Sequence, residues 1–269
     1  MPTYPDGSYS SDVYISQGGD RLNFQRDGRM IGGNALSTRF ELRWVAGQRG
    51  KPGINADMAS GTEAVREVAD PDFEVLGTNG TSALSTFNAE GGIKFTTAGA
   101  SADQMILVPH LDTNQTAWTN VTWGTDQETI WECHLKTGSA ITSTTIWAGL
   151  KLTNTSVTAT DNDQVFFRYG AATNSGKWQA VSSIGGVDVE TDTGITVVLS
   201  TEYRFRVSID SARQAKMYIS VGQNRFQHIR TSAALTDATD LIPYIGVQAD
   251  TGAAKHVIIF GAAISRKFA

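Results

Sequence analysis

The chain has 269 residues, 40% of them hydrophobic, which is long enough to bury a core without disulfides or metal ions. Its formal net charge of −5 does not favour nucleic acid or an anionic membrane as a partner, and its apolar runs are too short to span a bilayer. A single cysteine, Cys133, excludes an intrachain disulfide and is expected as a buried core thiol. The first residues show no signal peptide, so we expect synthesis in a reducing cytoplasm.

Residues 1–35 are rich in glycine, serine and aspartate and contain few apolar runs of strand length. Such a segment cannot pack a core of its own. Its aromatic side chains, Tyr4, Tyr9, Tyr14 and Phe24, carry large apolar areas that favour burial against another molecule. We therefore predict an extended N-terminal arm whose four aromatics contact a neighbouring protein subunit.

Residues 36–75 are expected to connect the arm to the main domain through a short strand and a short helix. The strand-like stretch RFELRWVAGQRGK places Arg39 and Arg43 beside a single acid, Glu41, and so forms a basic patch on an acidic protein. A solvated strand face is the simpler explanation of this patch. Arg39 and Arg43 are kept as candidate subunit-contact residues. The helix is expected within residues 56–70, ADMASGTEAVREVAD.

From residue 76 to residue 269 apolar and polar residues alternate with a period of two, which is the pattern of half-buried β-strands. TIWECHLK, TIWAGLKL, TEYRFRVSID and AKMYISVG show it, and DSARQ supplies a hairpin between the last two. KHVIIFGAAISR is apolar on both faces, as a central strand would be. We predict an all-β fold, a two-sheet antiparallel jelly-roll sandwich with Tyr203, Phe205, Val207, Ile209, Val165 and Phe167 in its core.

The stretch TATDNDQVFFRYG raises the question of a calcium loop at Asp161-Asn162-Asp163. Calcium needs six to eight oxygen ligands, and one turn with two carboxylates and an amide does not have the spacing that wraps an ion. Asp and Asn also start turns by bonding to their own backbone. We interpret these three residues as the turn before a strand.

Asp188, Glu190 and Asp192 in GVDVETDTG place three carboxylates on one face of a strand. Paired carboxyl groups of this kind could hydrolyse a glycosidic bond if they lay about 5–5.5 Å apart across it. The outer two are short aspartates, and the residues that follow read as a turn. A solvated hairpin end is therefore the preferred interpretation.

No other constellation points to catalysis. The four histidines are scattered, and no nucleophile, phosphate-loop or dinucleotide motif is present. We predict no catalytic residues, no metal site and no cofactor. Trp118 and Trp123, in QTAWTNVTWGT, are candidate ligand-binding aromatics because tryptophans amid Asn and Thr can stack on a sugar. Their spacing of five prevents them from sharing one strand face, so we expect one of them to enter the core.

The opening YPDGSYSSDVYISQGGDRLNF resembles the start of structural proteins encoded by tailed bacteriophages. The later stretches resemble the jelly-roll domain of the same virion proteins, which is similar to concanavalin A-like and laminin G-like sandwiches. Those stretches are GGIKFTTAG, DQMILVPHLDTNQTAW, WGTDQETIWE, TIWAGLKLTNT, ATDNDQVFFRYG, TEYRFRVSIDSARQAKMYI and LIPYIGVQA. The resemblance covers about residues 1–35 and 85–269.

This resemblance implies a non-enzymatic virion structural protein that docks through its N-terminal arm. Such a protein would decorate or cement the capsid, or be associated with the head. Its partners would be the major capsid protein or neighbouring head and tail proteins. It would form a homo-oligomer, with a trimer as the form common among such decorations, assembled in the host bacterial cytoplasm and located in the virion. The alternative is a receptor- or glycan-binding module of a tail fibre or spike. The sequence contains no heptads or fibre repeats, which favours the first function.

Overall fold

The computed structural model describes residues 12–14, 21–24, 30–31, 39–45, 51–53, 69–109, 111–113, 116–117, 123–152 and 161–267, and side chains at residues 73, 75–108, 123–152 and 161–267. It contains the strands β1 (Asp12–Tyr14), β2 (Arg21–Phe24), β3 (Met30–Ile31), β4 (Arg39–Val45), β5 (Lys51–Gly53), β6 (Ala69–Leu76), β7 (Ser85–Phe87), β8 (Ile93–Thr96), β9 (Gln104–Pro109), β10 (Leu111–Thr113), β11 (Thr116–Ala117), β12 (Ile130–Thr137), β13 (Thr144–Lys151), β14 (Gln164–Gly170), β15 (Lys177–Ile184), β16 (Val187–Thr196), β17 (Glu202–Ile209), β18 (Gln214–Val221), β19 (Gln227–Ala234), β20 (Ile242–Ala249) and β21 (His256–Lys267). Two single-turn 3-10 helices, Ser82–Leu84 and Asn174–Gly176, interrupt them. In this part of the chain no helix is long and apolar enough to cross a membrane.

Two eight-stranded sheets form the sandwich. The first sheet has the order β19-β18-β17-β12-β21-β8-β7, with β4 also paired to β21. The second sheet has the order β16-β15-β14-β13-β20-β9-β6-β5. Pairing along both is antiparallel, except that β5 runs parallel to β6. The predicted all-β, two-sheet antiparallel sandwich is confirmed, and β21 lies centrally as its doubly apolar sequence indicates.

The core lies where the alternating apolar positions of the two sheets meet. The six predicted core residues, Val165, Phe167, Tyr203, Phe205, Val207 and Ile209, are all 0–1% exposed. Phe205 of the first sheet packs against Phe167 and Trp178 of the second, with ring centroids 4.9 and 4.8 Å apart. Cys133 is buried and free, as predicted, and its burial raises the pKa of the thiol.

Tight turns fix the register of neighbouring strands. The predicted hairpin at DSARQ joins β17 to β18, where Arg213 adopts a φ of 60°. Asp210 accepts hydrogen bonds from the backbone N–H groups of Ala212 and Gln214, each at 3.0 Å. These backbone bonds, with the one from Gln214 foremost, lower the pKa of the Asp210 carboxyl. An Asp that caps its own turn is the expected use of this residue type.

The segment that precedes the predicted sandwich differs from the simple arm and linker that the sequence suggests. Residues 1–40 form a separate compact unit, in which β1, β2 and β3 pair as a small antiparallel sheet instead of one extended arm. Strands β4, β5 and β6, from the expected connecting segment 36–75, belong to the two large sheets. Most of the helix expected at 56–70 lies outside the described residues, and Ala69 and Asp70 begin β6.

Candidate functional site

The face of the second sheet that points away from the core carries an unusual set of side chains, and we call it the outer face. Strand register aligns its residues in three rows that cross β13, β14, β15 and β16. The rows are Lys151, Gln164, Ser183 and Asp188; Gly149, Phe166, Val181 and Glu190; and Trp147, Arg168, Gln179 and Asp192. On the other side of β13, β20 adds Ile242, Tyr244 and Gly246 to these rows.

Aromatic rings occupy the middle of the outer face. Trp147 stacks on Tyr244 with ring centroids 5.6 Å apart and an interplanar angle of 23°. Gly246 makes this possible, because a Cβ there would lie 2.8 Å from the indole of Trp147. Gly149 likewise leaves room for Phe166, whose Cβ would be 2.4 Å from an added methyl group. These rings are buried, with Trp147 only 3% exposed, and form a second apolar cluster outside the main core.

Lys151, Gln164 and Ser183 of the first row are polar although they are buried beside this cluster. The Lys151 ammonium lies 4.9 Å from the centroid of the Tyr244 ring and 3.8 Å from the Asp161 carboxylate. Burial lowers the pKa of Lys151, and the Asp161 charge opposes that shift. Burial also raises the pKa of Tyr244 strongly, so its hydroxyl stays protonated. Lys151 is therefore a desolvated cation that contacts the Asp161 carboxylate and the Tyr244 ring.

Several polar atoms of the outer face have no hydrogen-bond partner. Both side-chain polar atoms of Gln164 are unpaired, and so are the Ser183 hydroxyl and the Trp147 indole N–H. Gln164 is 1% exposed and Ser183 is 0% exposed, so bulk water does not satisfy these atoms. A buried unpaired polar group costs about 1–3 kcal/mol. Because Gln164 and Ser183 are direct cross-strand neighbours, their Cβ atoms lie about 5 Å apart and both can bond to one small polar ligand.

The rim of the outer face, on β14 to β16, contains a network of hydrogen bonds in which Glu190 and Asp192 are exposed and Gln179 is buried. Arg168 donates to the side-chain oxygen of Gln179 at 2.9 Å and to Glu190 at 2.6 Å. Gln179 in turn donates to the second carboxylate oxygen of Glu190 at 3.0 Å, which closes a three-residue ring of bonds. Lys177 forms a second pair with Asp192 at 2.8 Å, and this hydrogen bond lowers the pKa of the Asp192 carboxyl. The rim thus offers oriented donors and acceptors to solvent.

The three carboxylates Asp188, Glu190 and Asp192 lie on one exposed face of β16, as their spacing predicts. The turn expected after Asp192 is wrong, because β16 continues to Thr196. Between Asp192 and Thr196, β16 has more residues than the facing stretch of β15, and these residues form a bulge near Lys177. Within the bulge Gly194 adopts a φ of 74°, and its N–H donates to Asp192 at 2.7 Å. Glu190 and Asp192 are held by separate cations of the rim.

Residues 161–163, which we interpret as a turn, form a bend directly before β14. Asp163 accepts a hydrogen bond from the Thr236 hydroxyl, Asp161 pairs with Lys151, and the Asn162 carbonyl accepts the Gly186 N–H at 2.8 Å. The three residues therefore contact separate elements, and β14 begins at Gln164 directly after them.

Most of the site residues predicted from sequence remain predictions. Tyr4, Tyr9 and Trp118 lie outside the described residues, and only the backbone is described for Tyr14 in β1, Phe24 in β2, and Arg39 and Arg43 in β4. Trp123 is 2% exposed and belongs to the buried core, as expected for one of the two tryptophans.

The outer-face residues were missed because they stand at the positions that alternation assigns to solvent. In QVFFRYG, Val165, Phe167 and Tyr169 mark the core face, and the other face carries Gln164, Phe166 and Arg168. The available signal was an aromatic residue at a supposedly solvated position, which TIWAGLKL repeats with Trp147.

Comparison with known proteins identifies the architecture. No family model matches the chain, and no curated protein matches it by sequence. A protein of unknown function from Shewanella oneidensis MR-1 superposes with a TM-score of 0.58 at 13% identity, over 88% of this chain and 90% of that one. Peanut lectin in complex with a nine-residue peptide superposes with a TM-score of 0.53 at 9% identity, over 84% of this chain and 97% of that one. At these identities the likeness shows the fold alone: this chain has the concanavalin A-like jelly-roll fold that peanut lectin also has.

Proposed function

We propose that this chain is a non-enzymatic glycan-binding protein that recognises a sugar with the outer face of its second sheet. The observation that carries this proposal is the set of unpaired buried polar atoms on Gln164 and Ser183 beside the Trp147 and Phe166 rings. Binding sites combine apolar walls with a few placed polar groups in this way. The fold, which is shared with a lectin, supports the proposal.

Sugar hydroxyls suit this arrangement because each one both donates and accepts a hydrogen bond. The Gln164 amide offers both functions, and the Ser183 hydroxyl can take either one. Ser183 is the cross-strand neighbour of Asp188 on the exposed edge strand, so the polar row runs from the open rim inward. A sugar lying over the rim would direct hydroxyl groups along this row towards Gln164.

Removal of the Ser183 hydroxyl tests this proposal. We expect Ser183→Ala to weaken glycan binding about two- to twelvefold, the loss for one hydrogen bond worth about 0.5–1.5 kcal/mol. Affinity electrophoresis in gels containing a β-1,3-glucan, a galactomannan or a xylan measures this loss of affinity. Ser208→Ala, on the solvent side of β17 in the first sheet, is the matched control and should bind as the wild type does. If none of these polymers retards the wild-type protein, the proposal that the chain binds glycans is wrong.

A second proposal concerns where the protein acts. The likeness of residues 1–35 to phage structural proteins favours a virion component that decorates the capsid or is associated with the head. Residues 1–40 form a compact unit of their own, and in this proposal that unit docks on a major capsid protein or a neighbouring subunit.

Deletion of residues 1–35 tests the docking role. We expect the truncated sandwich to keep its melting temperature, because the core residues that the structure describes all lie beyond residue 72. We also expect it to lose incorporation into particles, because the aromatics Tyr4, Tyr9, Tyr14 and Phe24 supply the contact area. Electron microscopy of particles assembled with each form measures occupancy. Normal occupancy by the truncated protein would rule out docking through this segment.

A further inference from the structure

We propose that the glycan recognised by the outer face is uncharged, and that Glu190 sets this specificity by neutralising Arg168. This inference rests on the proposed function, since it names the class of sugar bound at the same site. It follows from the charges of the outer face and from the way that they are paired.

The cations described on the outer face are each engaged by a carboxylate. Arg168 contacts Glu190 at 2.6 Å, and Lys177 contacts Asp192 at 2.8 Å. Lys151 lies 3.8 Å from Asp161. Each of these three positive charges is therefore already balanced by a carboxylate.

An anionic sugar meets two obstacles on such a surface. Its carboxylate or sulfate would have to replace Glu190 as the partner of Arg168, because Arg168 is the cation nearest to the polar row among those on the rim. It would also approach the Glu190 and Asp192 carboxylates, and like charges repel even where solvent partly screens them. A neutral sugar meets neither obstacle, because its hydroxyls can donate to these same carboxylates.

Gln179 makes the neutralisation of Arg168 geometrically specific. It accepts from Arg168 and donates to Glu190, so the guanidinium, the amide and the carboxylate hold one another in place across three strands. The Glu190 side chain is 41% exposed, so it lies where a ligand on the rim would contact it. Glu190 is therefore placed to act as a specificity-determining residue.

The charge change Glu190→Gln tests the inference. The glutamine oxygen can still accept from Arg168, but the carboxylate charge that neutralises the guanidinium is removed. We expect the wild type to bind a neutral β-glucan or galactomannan and to ignore alginate, and we expect the variant to bind alginate at least tenfold more tightly than the wild type does. This gain should diminish as salt is raised. Isothermal titration with each polymer gives both affinities.

Glu132→Gln is the matched control, because Glu132 pairs with Arg206 on the solvent side of the first sheet. We expect it to leave the binding of both polymers unchanged. Preference of the wild type for alginate over neutral polymers would overturn the inference about ligand class and leave glycan binding intact. Unchanged alginate binding in Glu190→Gln would overturn the role of Glu190. Absence of binding to every polymer, in the wild type and the variant alike, would overturn the proposed function itself.

Discussion

Replacement of Phe205 by alanine is expected to lower the free energy of unfolding by about 3–5 kcal/mol, the usual cost of deleting a buried aromatic ring. Phe205 is 0% exposed and lies between the two sheets. Its ring packs on Trp178 of β15 at 4.8 Å and on Phe167 of β14 at 4.9 Å. It also neighbours Tyr203 along its own strand, at 6.3 Å. The substitution therefore leaves a cavity that rigid strands on both sides cannot close.

Urea unfolding followed by tryptophan fluorescence measures this loss, because the buried tryptophans, among them Trp178 beside Phe205, become exposed to water on unfolding. Phe87→Ala is the matched control, because the same ring is removed from a side chain that is 61% exposed. We expect the control to change stability by no more than about 0.5 kcal/mol. A loss below about 1 kcal/mol for Phe205→Ala would contradict the central position of this residue.

Replacement of Gln164 by methionine is expected to raise the free energy of unfolding, which is the opposite of the effect expected for Phe205→Ala. Methionine has a similar length and fills irregular apolar space. It removes two buried polar atoms that have no partner, so the free energy of unfolding should rise by about 1–3 kcal/mol. The same substitution should abolish or strongly weaken glycan binding. Stability gained at the expense of binding is the behaviour expected of a residue retained for function.

Gln179→Met is the contrasting variant, which we expect to lower the free energy of unfolding. Gln179 is on the neighbouring strand, and its amide bonds to both Arg168 and Glu190. Loss of those bonds should destabilise the protein, because Arg168 and Glu190 stay partly removed from water but no longer have the Gln179 amide as a hydrogen-bond partner. Thermal and urea unfolding of the two variants side by side measures the difference in sign. A destabilised Gln164→Met protein would mean that the amide supports the fold, and the unpaired atoms would no longer indicate a ligand.

The predictable part of the candidate site was the face on which each residue lies. The alternation in TIWAGLKL and QVFFRYG separates Ile146, Ala148 and Val165 from Trp147, Lys151 and Gln164 without any knowledge of pairing. It does not show whether the second face is wet or buried. Trp147 and Gln164 are buried in the folded chain, and the burial of a strand's second face depends on residues distant in sequence, which the local pattern does not encode.

The sequence by itself determined the all-β class, the hairpin between β17 and β18, and the core residues. These features depend on local rules, namely a period of two along a strand and the backbone-bonding habits of Asp and Asn. Only the tertiary structure decided which strands are neighbours, and therefore that Lys151, Gln164 and Ser183 form one row. It also decided that β4, β5 and β6 join the two sheets. The physical reason is that strand order and register depend on contacts between residues far apart in the chain, and a single strand carries no record of its partner.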